Sequence, residues 1–271
     1  MHPTHLTHLE LLRRAESNLA LTLLRSVAAP PARLIEIGGG AGWQSQEFAA
    51  AGYQVFSYDL PNTKYAEHRI YPVQDYDGHK LPEADRSADI VFSSNVLEHI
   101  PHVYEFQSEL LRVLKPEGVA VHILPSAAWR FWTTATHYPD VVAKVARRLG
   151  SSWRPSSEQA ALTASHPSTV SAPATGGDLA RALRNNIRPE RHGEFGSATT
   201  ELYYFSRYRW QRLFETTGWR VVHYETNQLS YTGNGLLGLS LGLDTRRRLS
   251  RTLGSSCHIF LLKNSTAKQF Q

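Results

Sequence analysis

The chain has 271 residues, 41% of them hydrophobic and 20% charged, with a formal net charge of +5 and a single cysteine, Cys257. That length buries a substantial core in one large domain or two small ones, and the balance is that of an ordinary globular protein rather than a fibrous or disordered one. The charge is too mild for a nucleic-acid arm, and one cysteine excludes an internal disulfide and a cysteine-based zinc cluster. A reducing, cytoplasmic setting is expected, with no signal peptide and no apolar run that spans a bilayer.

Leu9, Leu11, Leu12, Leu19, Leu21, Leu23 and Leu24 recur at near-helical spacing. They predict a leading amphipathic helix that ends at the prolines of AAPPAR. His2, His5 and His8 lie three apart, but a frayed terminus is expected there rather than a metal set. Strands and helices then alternate. RLIEIG reads as a strand, WQSQEFAAAG as a helix closed by Gly52, and QVFSYDL as a second strand. RIYPV is a weak third strand, demoted by Pro72. ADIVFSSNV is a fourth, apolar enough to be central. HVYEFQSELLRVL is a helix stopped by KPEG, and GVAVHILPS is a fifth strand.

The alternation breaks after Pro125. Residues 126–150 are aromatic and basic, and residues 151–176 are rich in Ser, Ala, Thr and Pro, the composition of a mobile loop. It resumes with SRYRWQRLFETTG as a helix and with WRVVHYE and SCHIFLLKN as the last two strands. The expected fold is α/β: a doubly wound, Rossmann-like, mostly parallel seven-stranded sheet with an insertion between strands 5 and 6. The expected division is an N-terminal helix over 1–30, a first half of the domain over 31–125, the insertion over 126–205 and a second half over 206–271.

The chemistry starts at LIEIGGGAGWQS, where Gly38, Gly39, Gly40 and Gly42 crowd one strand-to-helix turn. A dinucleotide turn wants G-x-G-x-x-G, and Trp43 stands where the third glycine should permit close helix–strand packing. A P-loop needs G-K-S/T, and no lysine is near. What remains is E-x-G-x-G-x-G, formed by Glu36, Gly38, Gly40 and Gly42. Asp59 ends the second strand roughly twenty residues on, where a carboxylate can accept both hydroxyls of a ribose. DYDGHKLPEADRSADIVFSSNVLEHI and LLRVLKPEGVAVHILPS complete the pattern.

On these motifs, over roughly residues 30 to 125 and again in the last two strands, the chain resembles the class I S-adenosylmethionine-dependent methyltransferases. The resemblance implies S-adenosylmethionine as cofactor. It implies cofactor contacts at Glu36, Gly38, Gly40, Gly42 and Asp59, with Asp77 near the adenine amino group, Gly78 against the ring and Asn95 by the methionyl end. It also implies that the insertion forms the lid and acceptor pocket. The cofactor carries no phosphate, so the glycine turn needs no lysine or arginine.

A sulfonium is already activated, so placement of the acceptor is a large part of the catalysis. A base is needed only where the acceptor keeps its proton at neutral pH. His192, in PERHGEFGS, and His137, in TTATHYPD, are the candidates, each weighed against an ordinary packed histidine. His99 is an outside candidate that more readily supports the cofactor pocket. Glu201, Tyr203 and Tyr204 either line the pocket or belong to an element face. No metal is expected.

The tail YTGNGLLGLSLGLDTRRRLSR has two readings. One is an interfacial segment giving a weak membrane-surface contact through residues 231–251; the other is a helical hairpin on the sheet edge with a solvated basic end. Glycine-rich stretches make poor interfacial helices, which favours the second. Arg246, Arg247, Arg248 and Arg251 also suit a phosphorylated acceptor. The expected function is methyl transfer to O or N of a small molecule or a glycan or lipid-linked precursor. An RNA methyltransferase would want a dense basic face and is disfavoured. So is a non-catalytic binding module, because the glycines, Asp59 and Asp77 are intact.

Overall fold

The computed structural model describes residues 3–61, 63–139, 189–234 and 238–268. The mobile-loop expectation for residues 151–176 lies outside them. Strands β1 (Arg33–Ile37), β2 (Gln54–Asp59), β3 (Val73–Asp75), β4 (Ala88–Ser94), β5 (Leu114–Pro125), β6 (Trp219–Thr226) and β7 (Cys257–Asn264) form one sheet in the order β3-β2-β1-β4-β5-β7-β6. The first five pair in parallel, while β7 runs antiparallel to both β5 and β6. Central strands carry the longest apolar runs. Every residue of β5 from Gly118 to Pro125 is buried, as is almost all of β4. Helices on both faces require that, since neither face meets water.

Helix α1 (Pro3–Val27) leads, α2 (Trp43–Ala50) follows the glycine turn, and α3 (Val103–Val113) joins β4 to β5. Val103, Phe106, Gln107, Leu110 and Val113 repeat at helical spacing and form the buried face of α3. Helix α4 (Ala127–Ala135) opens with Ser126, whose side chain accepts the Trp129 N–H as an N-cap. Two further helices, α5 (Glu201–Tyr204) and α6 (Arg207–Thr216), lead into β6, and α7 (Leu243–Leu253) precedes β7.

Four expectations are corrected. The third strand keeps only the last residue of RIYPV, Val73, and runs on to Asp75, because Pro72 has no N–H to give a ladder. KPEG ends α3 but then bulges inside β5, whose pairing to β4 jumps from Ala88–Leu114 to Ile90–Val119. The N-terminus is not frayed at His5 and His8: α1 starts at Pro3, and His8 is 6% exposed. The basic end of the tail is not all solvated. Arg246 shares the inner face of α7 with Leu243 and is 2% exposed, its guanidinium donating to the carbonyls of Ser230, Gly238 and Leu241. No helix among the described residues is long and apolar enough to cross a membrane.

The stripe of α1 that faces the sheet runs Leu12, Glu16, Ala20, Leu24, and its one acid is wholly buried. Glu16 Oε2 takes the Arg13 guanidinium at 2.5 Å, while Oε1 accepts from Asn227 Nδ2 at 2.8 Å and from the Tyr231 hydroxyl at 2.7 Å. The Tyr231 hydroxyl lies 3.1 Å from Cys257 Sγ. This network fastens α1 to the segment after β6 and to the start of β7. It also puts α1 over the carboxyl ends of the strands.

Candidate active site

Between β1 and β4 the strand order reverses, and in open α/β sheets the crevice at such a reversal takes the ligand. A cavity of about 950 Å³ opens there, roofed by α1 and walled by the glycine turn, the ends of β2 and β4, and Trp129 and His192 from the insertion.

Each glycine has its own reason. Gly38 has φ +73°, and a Cβ on it would lie 2.2 Å from Val96 Cγ2. Gly42 has φ +81° and caps α2 where a Cβ would meet Tyr71 at 2.7 Å. Gly40, at φ +56°, faces the cavity with nothing nearer to a Cβ than Tyr65 at 3.6 Å, so its backbone is bare toward a ligand. Asp59 accepts the Gly40 N–H at 2.8 Å and the Leu60 N–H at 2.7 Å. Burial raises its pKa against those two N–H groups. Asp77 accepts the N–H groups of Lys80 and His79, which lower its pKa, and Gly78, at φ +81°, turns the chain beside it. Asn95 sits at φ +55°, a conformation asparagine tolerates better than most residues. Gly38, Gly40, Asp59, Asp77, Gly78 and Asn95 all line the cavity.

Glu36 and Gly42 stand behind that wall. Glu36 is 2% exposed, and its Oε2 accepts from the hydroxyls of Ser45 and Ser57, tying β1 to α2 and β2. Burial pushes its pKa from 4.5 up to about 7. The folded state therefore binds this proton more tightly than the unfolded chain. Its stabilising contribution is full below the unfolded pKa and declines as pH rises to the folded one. Wild-type stability is expected to fall relative to Glu36→Gln by roughly 3 kcal/mol between about pH 4.5 and pH 7. Urea titrations of both proteins across that range check it; parallel curves would refute it.

At the other end of the cavity, His192 packs against Trp129 at 4.6 Å and edge-on to His99 at 4.7 Å between ring centroids. The loop carrying His192 is pinned from below. Glu201 Oε1 accepts the N–H groups of His192 and Gly193 at 2.6 and 2.7 Å, and its other oxygen pairs with Arg130 Nε at 2.9 Å. Both partners of that ion pair are buried, and Arg130 also donates to the carbonyls of Glu190 and Ala198. So Glu201 supports the wall rather than lining it, and Tyr203 is exposed at 52%. His137 lies off the cavity, with its ring against Tyr138.

Glu98 is wholly buried behind His99 and His192. Burial pushes its pKa up to about 8, and burial drives His192 down to about 3. At neutral pH the acid is therefore held protonated and the imidazole uncharged. His8, Arg13 and Tyr231 also reach the cavity and were not legible as site residues. The available signal was the four-residue spacing of His8, Leu12 and Glu16, which sets polar groups on the stripe that faces the sheet.

A sheet of this order with its last strand reversed has the fold of the class I S-adenosylmethionine-dependent methyltransferases. Residues 8–224 match the family model for a methyltransferase domain, and the chain belongs to that family. It is 40% identical over 94 residues to an uncharacterised methyltransferase of Mycobacterium ulcerans, a match spanning 32% of this chain and 37% of that relative. An uncharacterised methyltransferase of Mycobacterium avium is 38% identical over 96 residues, with the same two shares. A methyltransferase structure from Mesorhizobium loti superposes with TM-score 0.52 at 14% identity, covering 92% of this chain and 98% of that one. Phosphoethanolamine N-methyltransferase 2 of Haemonchus contortus, solved with S-adenosylmethionine, superposes with TM-score 0.50 at 14% identity, covering 91% and 52%. These two likenesses are of fold.

Proposed function

We propose that the chain transfers a methyl group from S-adenosylmethionine to an oxygen or nitrogen of a small molecule, or of a glycan or lipid-linked precursor. The observation that carries this is one continuous cavity. Asp59 and Asp77 line it together with Trp129, His99 and His192, and its volume of about 950 Å³ has room for a nucleoside cofactor and an acceptor together. When bound, the cofactor supplies a methyl group already activated on a sulfonium.

The residues divide the remaining work. Asp59 would hold the ribose hydroxyls, using the lone pairs left free beside its bonds to Gly40 and Leu60. Asp77 and Gly78 would flank the adenine. The backbone of Gly38 and the bare backbone of Gly40, with Asn95, would hold the methionyl end. Trp129 and α1 keep water from the reacting atoms, and an acceptor laid against Trp129 meets the uncharged imidazole of His192, which positions it.

Calorimetric titration with S-adenosylmethionine tests the cofactor half. Asp59→Ala is expected to weaken binding by about tenfold to a hundredfold, the scale of one or two hydrogen bonds to a charged group. Wild-type affinity in that variant would overturn the assignment. The acceptor half is tested by incubating cell extract with methyl-labelled cofactor and identifying the labelled product.

A further inference from the structure

The buried carboxylate behind the two histidines is a different matter from the cofactor cleft. Glu98 has no side-chain exposure, and among the described residues neither of its oxygens has a hydrogen-bond partner. A buried carboxyl in that condition is costly unless it is paired or bound to a cation. Its Oε1 lies 3.9 Å from His99 Nε2 and 3.9 Å from His192 Nε2, and the three donor atoms fall within 4.8 Å of one another.

We infer that Glu98, His99 and His192 form a binding site for one divalent transition-metal cation at the acceptor end of the cavity. Nitrogen and carboxylate-oxygen bonds to such an ion are about 2.0 to 2.2 Å, so two donors of a tetrahedral ion stand about 3.4 Å apart. The two spacings to Glu98 are about half an ångström longer than this, and small side-chain rotations bring all three donors in. Two imidazoles with one carboxylate suit zinc, cobalt or ferrous iron rather than magnesium or calcium, which prefer all-oxygen sets.

The frame is fixed before any ion arrives. Glu98 and His99 sit on the single turn Leu97–His99 that ends β4. The Glu98 carbonyl accepts the Glu194 N–H at 2.8 Å, lacing that turn to the loop of His192. Glu201 holds the same loop through the His192 and Gly193 N–H groups. The nearby cation Arg13 is matched by its own partner, Glu16. His99 and His192 line the cavity while Glu98 closes the back. Three protein donors with an open side are the pattern of a site that takes a substrate, not of a closed structural one. Resting on the methyl-transfer reading above, that open side takes an acceptor with an oxygen or nitrogen donor beside the atom to be methylated.

The test uses the full chain, stripped with a chelator and titrated with Co²⁺ and then Zn²⁺. Bound metal is counted by plasma mass spectrometry after dialysis, and ligation is read from the visible absorption of Co²⁺. One ion per chain is expected, bound at least about tenfold more weakly in Glu98→Gln, His99→Ala and His192→Ala, since even the loss of an outer partner reaches that scale. The double variant His5→Ala/His8→Ala should bind as the wild type does. No stoichiometric Co²⁺, binding unchanged in all three single variants, or binding lost with His5 and His8 instead would overturn the site. His99 is half-exposed, so His99→Ala serves if Glu98→Gln fails to fold, as circular dichroism will show. Cofactor calorimetry on the same stripped protein separates the two readings. Cofactor without metal overturns this inference alone, and metal without cofactor overturns the methyl-transfer reading alone.

Discussion

Replacing Glu16 with alanine is expected to destabilise the protein by about 3 to 5 kcal/mol, the range for breaking a buried ion pair from one side. The loss is large because three donors converge on one carboxylate. Without it the part-buried Arg13 guanidinium at the cavity wall is left uncompensated, and Asn227 Nδ2 and the Tyr231 hydroxyl lose their acceptor. The effect is a matter of position, not of charge count. Glu10 belongs to the same helix and pairs with Arg14, but both are about a third exposed. Glu10→Ala should therefore cost less than about 1 kcal/mol. Glu16→Gln keeps an acceptor for Tyr231 or Asn227 and should fall between the two. Thermal melts read the series, at about 2 to 4 °C per kcal/mol for a chain near this size. A Glu16→Ala melt level with Glu10→Ala would mean that α1 is held by its leucines alone. Because α1 roofs the cavity, the same variant should bind cofactor less tightly at temperatures where it remains folded.

That network marks a boundary in what the amino-acid sequence discloses. The glycine turn was legible because its constraints are local: positive φ at Gly38, Gly40 and Gly42 excludes almost everything but glycine. Asp59 was legible because strand length and turn spacing set it at a carboxyl edge. The sheet followed from short apolar runs alternating with helical ones, including the late strand that inserts as β7. Glu36 shows where this stops. Its spacing to the glycines is regular, yet a strand position does not say what stands opposite, and here Ser45 and Ser57 take its carboxylate. Arg246 is a sharper case. RRR reads as a solvated run, but helical periodicity turns one of the three inward, where three backbone carbonyls receive it. His8, Arg13 and Tyr231 join the site only because α1 folds back across the sheet, a contact between residues far apart in the chain. The pairing of Glu98 with His192 is of the same kind, although Glu98 and His99 were adjacent in plain view in LEHI.

His192→Ala is expected to lower turnover by about a hundredfold, the scale of a misplaced acceptor, while leaving cofactor affinity where it was. The asymmetry follows from where the ring sits. His192 touches Trp129, Phe205 and His99 at the acceptor end, and the cofactor-facing residues Asp59, Asp77 and Gly78 come from other elements. His137→Ala, in a ring off the cavity, should turn over as the wild type does. Glu201→Gln gives the decisive comparison. It keeps an oxygen for the His192 and Gly193 N–H groups but leaves the buried Arg130 without a counter-charge, so the loop is held less firmly while the imidazole remains. Its turnover should fall between wild type and His192→Ala, with the loss in kcat rather than in cofactor binding. Single-turnover transfer of a labelled methyl group, set beside calorimetric cofactor affinity, reads both quantities. Equal turnover in His192→Ala and wild type would move the chemistry to another wall of the cavity. A loss of cofactor affinity in His192→Ala would mean that the two ends of the cavity are not separate, and that the acceptor sits nearer the glycine turn than Trp129.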